Sequence, residues 1–195
     1  MGKTKTAVTA RHVMMVAAAT FLLAVAFAFV SEVLSRRMQS LTLSLIFLFF
    51  VIIIHIVFDI IGIATTAASE TPFHAQSAKR VPGAREGYLL IRHADQVANF
   101  ANDVIGDITA TVSGALGAAI ALQLVLWHPA LPGLALNVAI TSAIAAASVA
   151  GKAVGKRYAM DNASRVVLRV GRLLYRLERL TGVRLWAAER GRRTR

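Results

Sequence analysis

The chain has 195 residues, is 56% hydrophobic and has a mean hydropathy of +0.61, values that exclude an ordinary soluble domain. Its net charge of +12 comes from lysines and arginines that flank apolar runs, which favours a membrane surface over nucleic acid as its partner. The sequence has no cysteine, which excludes disulfide bonds and thiolate chemistry.

Four apolar runs approach the roughly twenty residues that cross the hydrocarbon core of a bilayer. We predict spans at about 13–34, 41–66 and 104–127, and a fourth from the break at Pro132-Gly133 to about 155. Since lipid offers no hydrogen bonds to the backbone, these spans are predicted to be helices. The fold class is therefore an all-α integral membrane protein with four transmembrane helices, a cytoplasmic juxtamembrane helical hairpin and a C-terminal basic amphipathic helix.

The first run has two interpretations. Lys3, Lys5 and Arg11 precede it, as basic residues precede the apolar part of a signal peptide. The run is long for a signal sequence and ends among charged residues, so we favour a retained span. Residues 1–40 are accordingly assigned to an extra N-terminal transmembrane helix, and residues 41–160 to the main membrane domain.

Residues 71–102 are too polar to cross the membrane and are predicted to form the juxtamembrane hairpin. Pro72 suits the first turn of a helix, Val81-Pro82-Gly83 is typical of a turn, and residues 84–100 are predicted to form the second helix. Lysines and arginines concentrate on this hairpin and at both ends of the chain. The positive-inside rule therefore predicts that both termini are cytoplasmic, and we expect the plasma (inner) membrane.

Residues 161–195 are predicted to form a basic amphipathic helix and tail, because apolar and basic residues both recur at intervals of three and four. Asp161, Asn162 or Ser164 can cap its start and Gly182 can end it. The arginines predicted to face lipid are Arg165, Arg169, Arg172, Arg176 and Arg179. Either this helix lies on anionic lipids or its apolar face packs on the hairpin, and the two can hold together. No motif for nucleic-acid binding accompanies the arginines, so no nucleic acid is expected.

Polar side chains inside the spans are the candidates for function, because an ionisable group in lipid is costly without a partner. His55 and Asp59 share one face of the second span, which continues to Thr66 and Glu70. Together with groups on the third and fourth spans they predict a polar seam between helices. The members of this polar seam are His55, Asp59, Thr66, Asp103, Ser148 and Lys152.

Small residues on the third and fourth spans are predicted to let these helices approach each other closely. They are Gly106, Ala110, Gly114 and Gly117 on the third span, and Ala143, Ala147, Gly151 and Gly155 on the fourth. The nearby carboxylates of Glu70, Asp103 and Asp107 suit magnesium or calcium. The residues alone favour an internal ion pair or hydrated carboxylates over such a cation site. No nucleophile with a base, zincin motif or phosphate loop occurs, so we predict that the protein is not an enzyme.

Three motifs in order, S-E-T at 69–71, V-I-G-D-I at 104–108 and G-K-A-V-G-K at 151–156, give a family resemblance over residues 53–180. The chain resembles the transmembrane domain of CNNM/CorC-type magnesium transporters, in a stand-alone form without CBS domains. The resemblance implies three spans, a juxtamembrane hairpin, a homodimer and a bound Mg²⁺ ion. Carried over by motif, the metal-binding residues are Ser69, Glu70, Gly106 and Asp107, with Gly151 and Lys156 nearby.

The chain departs from this family at Ala67, Asp107, Lys152 and Gly155. Lys152 stands where the family has a glutamate, so a fixed ammonium would repel a divalent cation and could pair with Glu70 or Asp107. Two functions are therefore predicted. The first is divalent cation (magnesium) transport or sensing. The alternative is a non-transporting relative in which Lys152 replaces the ion, acting as a membrane scaffold or partner-binding subunit. The expected partners are the bilayer, its anionic lipids and a second copy of the chain.

Overall fold

Every secondary-structure element is helical in the computed structural model, which describes residues 14, 17, 18, 20–29 and 40–182. The helices are α1 Thr20–Phe29, α2 Leu41–Ala67, α3 Glu70–Ala78, α4 Ala84–Arg92, α5 Ala94–Ala98, a π-helix at Asn99–Ile105, α6 Gly106–Trp127, α7 Gly133–Asp161 and α8 Ala163–Thr181. The prediction of an all-helical fold is confirmed for the described residues.

Three helical stretches within the described residues are long and apolar enough to cross a membrane, namely Leu41–Ala67, Ala94–Trp127 and Gly133–Asp161. Leu41–Ala67 is the most apolar, with a hydropathy of 2.9 over its best window. Within the predicted first span the structure describes the apolar helix Thr20–Phe29 and residues 14, 17 and 18. The other residues of that predicted span lie outside the described residues.

The chain divides into two compact units. The first contains Met1–Ile52 and Ile108–Ile144, and the second contains Ile53–Asp107 and Ala145–Arg195. Within the first unit, α6 buries one face at intervals of four residues. The members of this face are Ile108, Val112, Leu116 and Ile120.

The predicted small-residue face of α6 is a packing surface only at Gly106 and Gly117, which are buried. Ala110 and Gly114 are exposed, and a Cβ added to Gly114 would meet no atom within 4 Å. Gly117, in contrast, lies against Ile140 and Ile144 of α7. Dispersion attraction grows with the number of atoms in contact, so the branched face of α6 makes the better packing surface.

The core of the second unit gathers side chains from α2, α3, α4, α7 and α8. Its buried members are Ala64, Phe73, Leu90, Ile91, Ala159, Ala163, Val166 and Val167. Phe73 and Val167 are each only 1% exposed. The rings of His74 on α3 and Tyr88 on α4 add a contact at 4.2 Å between centroids. The short helices are thus held by tertiary packing, since isolated helices of nine residues are unstable in water.

The backbones of α4 and α8 lie unusually close together where the two helices cross, because glycines occupy the contact. We name this contact the glycine crossing, and its members are Gly83, Gly87 and Gly171. A Cβ on Gly171 would overlap the backbone carbonyl oxygen of Gly83 and lie 2.8 Å from the backbone nitrogen of Gly87. Gly83 has a φ of 82°, a conformation that favours glycine, and its own Cβ would overlap the backbone of Arg172. The glycine crossing therefore depends on the absence of side chains from both helices.

The helix ends agree with the turn signals at two places. The chain between α3 and α4 turns at Val81-Pro82-Gly83, as predicted. Gly182 follows α8 with a φ of 70°, and its N–H donates to the carbonyl of Glu178 at 3.0 Å. Asn162 occupies the residue before α8 but makes no side-chain capping bond.

The helices differ from the predicted elements at three places. A single helix over 84–100 is interrupted at His93, where the backbone leaves the helical region (φ −109°, ψ 32°). The helical stretch that holds the third span begins at Ala94, ten residues before the predicted start. Its added residues include exposed Asp95, Gln96 and Asn99, which can stay helical while in contact with water. Likewise α7 continues to Asp161 beyond the predicted end near 155, through exposed Lys156 and Arg157.

Gly171→Ala should lower the free energy of unfolding by about 1–3 kcal/mol, because the added methyl overlaps backbone atoms that cannot rotate away. This loss should exceed the gain of about 1 kcal/mol that alanine brings to a helix. Denaturant unfolding in mild detergent, followed by circular dichroism, measures the effect. The matched control is Gly114→Ala, a helical glycine with open space, which should be neutral or stabilising. Equal effects of the two substitutions would contradict the glycine crossing.

Candidate functional site

A buried imidazole lies at the centre of the candidate site. His55 belongs to α2 and is only 5% exposed. A hydrogen bond joins its ring to the backbone of Gly106, the first residue of α6. Gly106 is itself buried, and a Cβ added there would lie 3.9 Å from His55 Cε1, so the two helices nearly touch at this point. A polar ring in an apolar span is thereby given a protein partner, as lipid requires.

Three charged side chains from three helices act electrostatically on the His55 ring. Asp59 is one turn along α2, Asp107 is in the first turn of α6, and Lys152 is on α7. We name His55 and these three residues the charge cluster. The structure thus brings together two predicted members of the polar seam on α2, one predicted metal ligand on α6 and the lysine on α7.

Glycines bring the backbones of the second unit close to one another around the charge cluster. Gly62 on α2 leaves room for the side chain of Asn102, whose amide group a Cβ at residue 62 would overlap. Gly151 and Gly155 on α7 receive Ile56 and Ile60 of α2 in the same way. One face of α2 therefore meets the helix that carries Asn102, and the neighbouring face meets α7.

The π-helix Asn99–Ile105 lies immediately before Gly106 and Asp107. Such segments are rare, usually occur within α-helices and are frequent at functional sites. Here the π-helix carries Asn102, whose buried Oδ1 accepts no hydrogen bond from the described residues. An unpaired buried acceptor costs about 1–3 kcal/mol, so this arrangement is maintained by the packing around it.

The four residues carried over as metal ligands lie in different environments. Ser69 and Glu70 are exposed at the start of α3, where Ser69 is the N-cap residue. Gly106 is buried against His55, and Asp107 is exposed in the first turn of α6. Among the described residues, no group of three or more histidine, aspartate and glutamate side chains is arranged to hold a metal ion.

The other members of the polar seam are exposed or half-buried, and two of them form hydrogen bonds within their own helical segments. The Thr66 hydroxyl donates to the Ile63 carbonyl at 2.9 Å, and Asp103 accepts from the Asn99 side-chain amide at 2.7 Å. Both Thr66 and Asp103 are exposed, and Ser148 is half-buried. The predicted partner of Lys152 was Glu70 or Asp107. Of these two, only Asp107 belongs with Lys152 to the groups that act on His55.

The basic residues of α8 are all exposed, namely Arg165, Arg169, Arg172, Arg176 and Arg179. The apolar residues of the same helix fall into two groups. Val166 and Val167 are buried in the core of the second unit, whereas Leu173 and Leu180 are more than half exposed.

Sequence reasoning missed Asn102 and its contact with Gly62. The polar run of Asn99, Asn102 and Asp103 just before an apolar span was the available signal. Nothing in residue spacing distinguishes a π-helix from an α-helix, so the register that places Asn102 on Gly62 could not be read from the sequence.

Comparison of the chain with protein-family models, with functionally characterised proteins and with experimentally determined structures finds no significant match. The CNNM/CorC resemblance therefore depends on the three motifs alone.

Gly62→Ala should lower the free energy of unfolding by about 1–3 kcal/mol, because its methyl group displaces the Asn102 amide. Adding Asn102→Ala to this variant should recover part of the loss, since the overlapping atoms are removed. Denaturant unfolding of the wild type, both single variants and the double variant gives the coupling energy. Additive effects of the two substitutions would argue against the contact.

Proposed function

We propose that the protein is a non-transporting membrane scaffold or partner-binding subunit, in which Lys152 supplies the positive charge that a related transporter would take from a bound magnesium ion. The observation that supports this proposal is the charge cluster, where the Lys152 ammonium acts on the same buried ring as the Asp59 and Asp107 carboxylates.

The formal charges of the charge cluster show what Lys152 changes. The carboxylates of Asp59 and Asp107 together carry minus two, which a divalent ion would neutralise. With the Lys152 ammonium the sum is minus one, and a divalent ion would bring it to plus one. Net charge in a low-dielectric environment is costly, so Lys152 acts against magnesium at this position.

A covalently attached ammonium also differs from an ion in what it requires. Magnesium gives up its water shell reluctantly and demands near-octahedral oxygen ligands. Lys152 is part of α7, so its ammonium is positioned by the packing of that helix and requires no set of coordinating ligands. We infer that the charge cluster holds α2, α6 and α7 in one arrangement rather than opening and closing around a substrate ion.

Divalent cation transport or sensing is the second candidate. The favourable observation is that Asp59 and Asp107 both act on His55, since carboxylate oxygens are the ligands that magnesium prefers. The order of the three family-like motifs supports the same candidate. Ser69 and Glu70 would then have to join the ion from the start of α3.

We propose that α2, α6 and α7 cross the plasma (inner) membrane with α3, α4 and α8 on the cytoplasmic side, because the lysines and arginines concentrate there. The exposed apolar side chains of α7, among them Leu134 (82%) and Val154 (74%), would face lipid or a second copy of the chain. A homodimer is proposed from the family resemblance.

Lys152→Glu should create magnesium binding, because it exchanges the fixed cation for a carboxylate beside Asp59 and Asp107. Isothermal titration calorimetry in detergent should show no saturable magnesium binding to the wild type and saturable binding to Lys152→Glu. The matched control is Lys156→Glu, which makes the same charge change one turn further along α7 at an exposed position.

Two outcomes would contradict the scaffold proposal. One is saturable magnesium binding by the wild type that Asp107→Asn abolishes. The other is magnesium entry into vesicles that contain the wild type, detected with an enclosed dye, at a rate above that of empty vesicles. Either outcome would favour the second candidate.

A further inference from the structure

We propose that α8 has two separate contact surfaces and that the outer one docks on the anionic headgroups of the bilayer. The outer surface, here called the leucine strip, consists of Leu173, Leu177 and Leu180. This inference goes beyond the proposed function, since it does not depend on what the charge cluster binds.

The inner surface of α8 is fixed by packing. Ala163, Val167 and Gly171 recur at intervals of four and are all buried. Gly171 forms the glycine crossing with α4, where backbone meets backbone. This contact fixes the rotation of α8 about its own axis.

The leucine strip belongs to the second half of α8, where this packing no longer covers it. Val166 lies on the same face two turns before Leu173 and is buried, so the exposed side chains begin further along the helix. Leu173, Leu177 and Leu180 follow one another at intervals of four and three, so they lie on one face. They are 58%, 44% and 83% exposed. Removing apolar surface from water is favourable, so three neighbouring exposed leucines indicate a surface that is covered by another molecule.

The charges beside the leucine strip indicate that an anionic bilayer surface is what binds it. α8 carries five arginines and one glutamate, and every arginine is exposed. At helical spacing, Arg169, Arg176 and Arg172 lie next to the strip on the side away from the buried face. A narrow apolar strip bordered by arginines matches the interface of a bilayer, with leucines among the upper acyl chains and guanidinium groups at the phosphates.

A second copy of the chain fits this surface less well. Pairing of two identical leucine strips would bring the arginines of one copy beside those of the other, and like charges at an interface are unfavourable. The position of α8 points to lipid instead. Only Asn162 separates it from α7, a candidate membrane span. The leucine strip begins ten residues into α8, about 15 Å along the helix from its start.

The sequence lacks cysteine, so single labels can be introduced without background. Leu177→Cys carrying an environment-sensitive fluorophore should report the docking in full-length protein reconstituted in nanodiscs. In discs of phosphatidylcholine with phosphatidylglycerol, its emission should shift to the blue and iodide should lose access to it. The matched control is labelled Ser164→Cys, an exposed residue on another face of α8, which should stay accessible to iodide.

Changing Arg169, Arg172 and Arg176 to glutamine should remove the dependence on phosphatidylglycerol. A label at Leu177 as accessible to iodide as the label at Ser164 in anionic discs would overturn the proposal. Protection that appears only in discs holding two copies would also overturn it, since a second chain would then be the cover. If Leu177→Cys fails to fold, Leu180→Cys serves instead, because its side chain is 83% exposed and makes little contact with the protein.

Discussion

Ionisable groups in an apolar helix must find their partners within the protein, and much of the second unit can be understood from this constraint. His55 is buried in α2, where lipid could satisfy neither ring nitrogen. The backbone of Gly106 and the charges of Asp59, Asp107 and Lys152 supply the polar environment. Because these groups come from three helices, the requirement of one side chain ties the three helices together.

Such polar contacts need short distances between helix axes, and glycine provides them. Gly62 accommodates Asn102, Gly106 meets His55, and Gly151 and Gly155 receive Ile56 and Ile60. Hydrophobic driving force between helices is weak in lipid, so close packing and polar contacts must hold the spans. The π-helix before Gly106 belongs to the same arrangement, since its register sets which residue meets Gly62.

The glycine crossing plays the corresponding role for α8. It places Gly171 against the backbone of α4, and the apolar residues of this amphipathic helix are buried in its first half but largely exposed in its second. Val167 is covered by the protein, whereas Leu180 is left to its surroundings. The sequence interpretations of α8 as a packing helix and as a lipid-facing helix are therefore compatible, because each refers to a different part of the same helix.

The sequence by itself determined the helical class, the extent of α2, the turn at Val81-Pro82-Gly83 and the end of α8 at Gly182. These features follow from hydropathy and from backbone preferences, which act over a few neighbouring residues. The tertiary structure alone decided which polar residues meet. It bonded His55 to the backbone of Gly106 within the electrostatic reach of Lys152, left Ser69 and Glu70 exposed, and selected Gly117 but not Gly114 as a contact. The physical reason is that these contacts depend on helix rotation and register, and the π-helix changes both without any mark in the residue pattern.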